Sequence, residues 1–131
     1  MRELLDELRK LDLPEGSYAI FGSGPMVVRG LREAGDLDIV VKKKVWDQLA
    51  EEFGVKDEQK GQIMANGIDI FWNWEPWLHD PDLLINTAEM IDGFPYVRLE
   101  HLLEWKKAFG REKDLKDVRI LEDYLANVNK K

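Results

Sequence analysis

The stretch Asp36-Leu37-Asp38-Ile39-Val40-Val41 constrains the fold more than any other part of the chain. It alternates acidic and apolar residues and ends in β-branched ones, which is the pattern of a strand. Residues two apart in a strand share a face, so Leu37, Ile39 and Val41 belong to a core while Asp36 and Asp38 project together on the other side. Two carboxylates so placed repel, and one is driven to hold a proton unless a cation neutralises the pair. A fold containing this strand must bury one of its faces and tolerate concentrated negative charge on the other.

The flanking sequence supplies elements to pack against it. Leucines at 4, 5, 8 and 11 give residues 2–11 a helical stripe that ends at Pro14 and Gly16. Ser17–Phe21 is a short apolar run suited to a buried strand, broken by Gly22-Ser23-Gly24-Pro25. Pro25 suits the first turn of a helix, which Met26 to Arg32 would continue and Gly35 would stop. Lys44–Phe53 reads as an amphipathic helix with Val45, Trp46, Leu49 and Phe53 as its stripe. Asn66-Gly67 between Gln62–Ala65 and Ile68–Trp72 marks a hairpin. Residues 82–90 read as helical and Gly93 with Pro95 as a loop. Leu99–Phe109 and Leu115–Val128 form a closing helical pair, with Asp114 as N-cap of the second and Asp117 as its capping-box partner.

These elements make one α/β (α+β) domain over residues 1–131: an N-terminal helix (1–11), an α/β core (17–73) and a mainly helical C-terminal part (82–128), with a short mixed sheet carrying packed helices. The length allows a core that folds without staples. The chain has no cysteine, which excludes disulfides, thiolate catalysis and cysteine-ligated zinc. His79 and His101 are far apart, so any metal is held by oxygen, favouring Mg²⁺ or Mn²⁺. A net charge of −7 argues against long DNA as partner. No apolar run reaches the roughly 18 residues of a membrane span, and the charged N-terminus lacks a signal core, so a cytoplasmic location is expected.

Two further features complete a chemical constellation. Asp69 lies between Ile68 and Ile70, so it points away from the core that they enter. Were its strand to run beside the first, three carboxylates would meet and could serve two metal ions about 3.5–4 Å apart. The Gly22-Ser23 turn, 12 residues before Asp36, joins a strand end to a helix start, where backbone N–H groups and the Ser23 hydroxyl can cradle phosphate. Lys106, Lys107, Arg111 and Lys113 make the C-terminal segment locally basic, with a solvated helix face as the first reading and contact with phosphate oxygens as the alternative. Trp72 and Trp74 read as core, with a base-stacking platform as the sharper alternative. A dinucleotide fingerprint fails because Val27 stands at the third glycine position, and no P-loop is present.

Phe21-Gly22-Ser23, a short helix and then Asp36-Leu37-Asp38 resemble the signature of the DNA polymerase beta-type nucleotidyltransferase superfamily. Asp69 resembles the third acid that a later strand brings in that superfamily. The tail Gly110-Arg-Glu-Lys-Asp114-Leu-Lys-Asp117 is similar to the closing helices of small nucleotidyltransferases, although Glu112 stands where a proline is common and Gly24-Pro25 departs from the usual turn. The resemblance implies a nucleotidyltransferase-like fold and transfer of a nucleoside monophosphate from an NTP to an acceptor hydroxyl. Gly22, Ser23 and Lys113 would bind the nucleotide's phosphates. Asp36, Asp38 and Asp69 would be the catalytic, metal-holding acids, with Asp69 either a ligand or the base, around two Mg²⁺ (or Mn²⁺) ions. The acceptor stays open among a small molecule, a protein and a tRNA end. An NTP-binding, non-catalytic or antitoxin-like module with a protein partner is the alternative use of the same fold.

Overall fold

A computed structural model describes residues 2–33, 35–59, 61–72 and 81–129. In it the alternating segment becomes a strand, Leu37–Val41 (β2), in the interior of a six-stranded sheet. The chain begins with helix α1 (Arg2–Lys10), strand β1 (Tyr18–Phe21) and the one-turn helix α2 (Gly24–Val27), and reaches β2. Helix α3 (Lys43–Phe53), β3 (Ile63–Ala65), β4 (Ile68–Phe71) and α4 (Pro81–Asn86) follow. Then come β5 (Glu89–Ile91), β6 (Phe94–Tyr96), α5 (Leu99–Phe109) and α6 (Glu112–Asn129). The sheet order is β3-β4-β2-β1-β6-β5. Among the described residues no helix is long and apolar enough to cross a membrane.

Pairing follows from the connections. β1 and β2 are antiparallel, with Phe21 opposite Asp38. β2 and β4 are parallel, with Asp38 opposite Asp69 and Ile39 opposite Ile70. Parallel neighbours need a crossover, and α3 lies on the connection that provides it. The Asn66-Gly67 turn, at φ 53° and 81°, closes the β3–β4 hairpin as its sequence predicts.

The period-2 pattern separates two cores. Ile20, Leu37, Ile39, Val41, Ile68 and Ile70 are fully buried on one face, under Leu8 of α1 and Val45 and Leu49 of α3. Ala19, Phe21 and Val40 lie on the other face, against Met26, Leu84, Ile85 and the α5–α6 residues Leu102, Trp105 and Leu121. Asp38 shares the parity of Val40, so it faces the C-terminal helical pair.

Four expectations are corrected. The helix expected over Met26–Arg32 is the single turn Gly24–Val27, and the chain turns out through Gly30 at φ 72°. The segment 82–90 is helical only to Asn86; Glu89–Ile91 and Phe94–Tyr96 form a second hairpin around Asp92 (φ 51°) and Gly93 (φ 88°). Phe53, expected in the α3 stripe, is exposed. The last helix starts at Glu112, so Asp114 is its third residue rather than its cap. From there its carboxylate accepts the backbone N–H of Arg111, the half of a capping box that a third residue supplies.

Candidate active site

Asp38 and Asp69 come together because their strands are parallel neighbours in register. Both stand on the α5–α6 side of the sheet, and they share a side-chain hydrogen bond. Gln62, just before β3, donates its amide N–H to Asp69 Oδ1. Asp36 lies exposed one residue ahead of β2, close enough for its charge to act on Asp38. Burial, then the charges of Asp69 and Asp36, push the Asp38 carboxyl from 3.8 up to about 7, against a smaller downward pull from Lys106. A carboxyl raised in this way, beside two others, is poised to exchange its proton for a cation.

The Gly22-Ser23 turn is built against the same carboxylate. Gly22 has φ 63°, and a Cβ there would stand 2.5 Å from Asp38 Oδ2. Only glycine fits, because both the left-handed backbone and the space forbid a side chain. Gly24 is as tightly placed, since a Cβ would come 2.3 Å from Ile20 Cγ2. Ser23 sits at the N-cap of α2 with helical φ and ψ and makes no capping hydrogen bond. Its hydroxyl instead borders a cavity of about 330 Å³ that Gly22, Asp36 and Asp38 also line.

The opposite wall comes from α5, α6 and the loop after α2. Trp105, Lys106, Phe109, Arg111, Asp114 and Asp117 line it, with Arg32. Lys106 is only 4% exposed, which corrects the reading of that side chain as a solvated helix face. Its Nζ donates to Asp117 Oδ2 at 2.9 Å, and Arg32 Nη1 donates to the same oxygen at 2.7 Å. Arg111 Nε donates to Asp114 Oδ2 at 2.6 Å. Trp105 packs on Phe21 at 4.8 Å and on Phe109 at 5.3 Å between ring centroids. From sequence, a solvated face ranks above phosphate contact for Lys106 and an exposed surface is the first reading for Arg32, and nothing singles out Gln62. For Lys106 the signal was present: it falls on the stripe of Leu99 and Leu102, at helical spacing.

The remaining candidates are placed as follows. Gly22, Ser23, Asp36 and Asp38 share the cavity, and Asp69 joins them through Asp38. The Lys113 side chain, Trp74 and His79 lie outside the described residues. Trp72 packs against Trp46 at 6.2 Å on the α1–α3 face, which is the core role expected of it. As the described side chains stand, no three of His, Asp or Glu are grouped closely enough to hold a metal ion. The donor chemistry nonetheless fits a hard divalent cation: carboxylate oxygens only, crowded enough to hold one of them protonated near neutrality.

No family model matches this chain, and no curated protein matches it. Among solved structures it is similar to the crystal structure of "a putative nucleotidyltransferase" from Thermotoga maritima, with a TM-score of 0.60 and 19% identity, over 96% of this chain and 94% of that one. At that identity the likeness speaks to the fold, which is nucleotidyltransferase-like: a mixed sheet with packed helices and a C-terminal helical pair.

Proposed function

We propose that the protein is a metal-dependent nucleotidyltransferase, moving a nucleoside monophosphate from an NTP to an acceptor hydroxyl and releasing pyrophosphate. The observation that carries this reading is the placement of Asp38, opposite Asp69 and against the Gly22-Ser23 turn, on the wall of one cavity. Asp36, Asp38 and Asp69 would hold Mg²⁺ or Mn²⁺, two ions by preference. A divalent ion there supplies neutralisation of phosphate charge and polarisation of phosphate oxygens.

The chain's own groups do the rest. Gly22 lets the backbone approach the triphosphate closely, and Ser23, whose hydroxyl makes no capping hydrogen bond, donates it to a phosphate oxygen. The acceptor oxygen forms a bond to the α-phosphorus as the bond to the pyrophosphate oxygen breaks. The hydroxyl proton passes to a carboxylate, for which Asp69, oriented by Gln62, is the candidate. Positioning and charge neutralisation provide the acceleration, without a covalent enzyme intermediate. The acceptor is a small molecule, a protein or a tRNA end; net charge −7 disfavours long DNA.

The test is thermal stabilisation by each NTP, with and without Mg²⁺ or Mn²⁺, followed by pyrophosphate release with candidate acceptors. Stabilisation should require the metal, and Asp38→Asn should lose at least about 10²-fold in turnover. Near-normal turnover in that variant excludes the mechanism. A flat response across the nucleotide panel favours the interaction-module alternative.

A further inference from the structure

We infer that Gln62 is the positioning residue of Asp69, and that Trp46 and Trp72, packed behind the sheet, hold Gln62 in place for that task. This role rests on the function proposed above and deepens it, by naming what keeps the third acid fixed.

Strand parity puts Gln62 within reach. Met64 stands opposite Asp69 in the β3–β4 register, so Gln62, two residues earlier, shares that face as a diagonal neighbour. Its amide N–H donates to Asp69 Oδ1. Among the described residues, the other hydrogen-bond partner of Asp69 is Asp38. Two carboxyl groups bond each other only while a proton lies between them, whereas the amide bond needs none. The amide is also neutral, so it fixes the carboxylate without cancelling the negative charge that a cation requires. A lysine in its place would compete with the cation, and a fourth acid would repel its neighbours.

The segment that carries Gln62 is tied down along its length. The Gln62 backbone N–H donates to Asp57 O at 3.0 Å, and its carbonyl accepts from the N–H groups of Lys56 and Asp57 at 2.8 and 3.2 Å. One residue back, Gly61 O accepts the Trp46 indole N–H at 2.9 Å. Gly61 has φ 64°, and a Cβ there would stand 3.3 Å from Trp72 Nε1, so the backbone lies directly against the second indole. Both tryptophans belong to the core under α1 and α3, on the face opposite Asp69. A continuous path of contacts thus runs from α3 through Gly61 and Gln62 to the acid. Removing a partner that orients a metal-binding side chain typically weakens the metal about 10–100-fold.

The probe is Mn²⁺ alone, titrated into the full chain and followed by electron paramagnetic resonance. Gln62→Met keeps the volume and removes the donor, and should weaken Mn²⁺ about tenfold. Trp46→Phe keeps a ring and removes the indole N–H, and should weaken it by a smaller factor. Each loss should vanish once its target is gone. Placed on Asp69→Asn, Gln62→Met should stay within about twofold of that background, and Trp46→Phe likewise on Gln62→Met. A merely structural role would give losses that multiply. Thermal melts check folding, and Gln62→Ala carries the test should Gln62→Met not fold. Wild-type affinity in the folded Gln62 variant, beside a loss in Asp69→Asn, overturns the inference alone. So does a Gln62 loss that persists in full on Asp69→Asn. A wild type that takes up no Mn²⁺ overturns both the positioning role and the metal-dependent reading. The expected losses without metal-dependent pyrophosphate release would sink the catalytic reading and leave the role of Gln62 standing.

Discussion

Asp38 concentrates the electrostatics of the molecule in one carboxyl. Its folded-state pKa of about 7 lies above the ordinary 3.8, chiefly through burial and then through Asp69 and Asp36. Between those values the folded protein binds more protons than the unfolded chain. This group's contribution to stability is therefore complete below the unfolded value and is lost as pH rises through the folded one. In EDTA, Asp38→Asn should melt higher than wild type by a margin that widens from about pH 5 to about pH 8, reaching about 1–3 kcal/mol. Parallel melting curves across that range would show that Asp38 is not raised. The acid pair itself was legible, because a strand period of two puts residues 36 and 38 on one face and leaves them repelling. The link between Arg32 and Asp117 was not: the two are 85 residues apart, and no local pattern reports such a contact.

At the scale of elements, local chemistry explains both what the sequence revealed and what it hid. Asn66-Gly67 announced its hairpin, and Asp92-Gly93 carries the same turn signal, yet the surrounding apolar run fitted a helix equally well. Only pairing of β6 beside β1, Ile20 opposite Tyr96, decides for strands there. Asp114 was recognisable as a helix-start residue but not as the third of its helix, since caps and third residues draw on the same acids. Its position matters, because from there one carboxylate caps α6, pins Arg111 and backs the cavity wall while 1% exposed. Asp114→Ala should cost about 1–3 kcal/mol by chemical denaturation, with an unchanged m-value. A loss below about 0.5 kcal/mol would mean that the capping and ion-pair contacts contribute little.

The whole molecule is a sheet with two unlike faces. One is an apolar core closed by α1 and α3; the other is apolar around Phe21, Val40 and Trp105 and acidic where Asp38 and Asp69 emerge. The sequence supplied the two-faced strands but not the neighbour relation between β2 and β4, which depends on the α3 crossover and decides whether Asp69 meets Asp38 at all. That meeting lies at the centre of the account and is best tested by electron paramagnetic resonance of Mn²⁺ titrated into the protein with an NTP present. Wild type should bind Mn²⁺, and Asp38→Asn and Asp69→Asn should each weaken it at least about tenfold. Wild-type Mn²⁺ affinity in both folded variants would contradict the account.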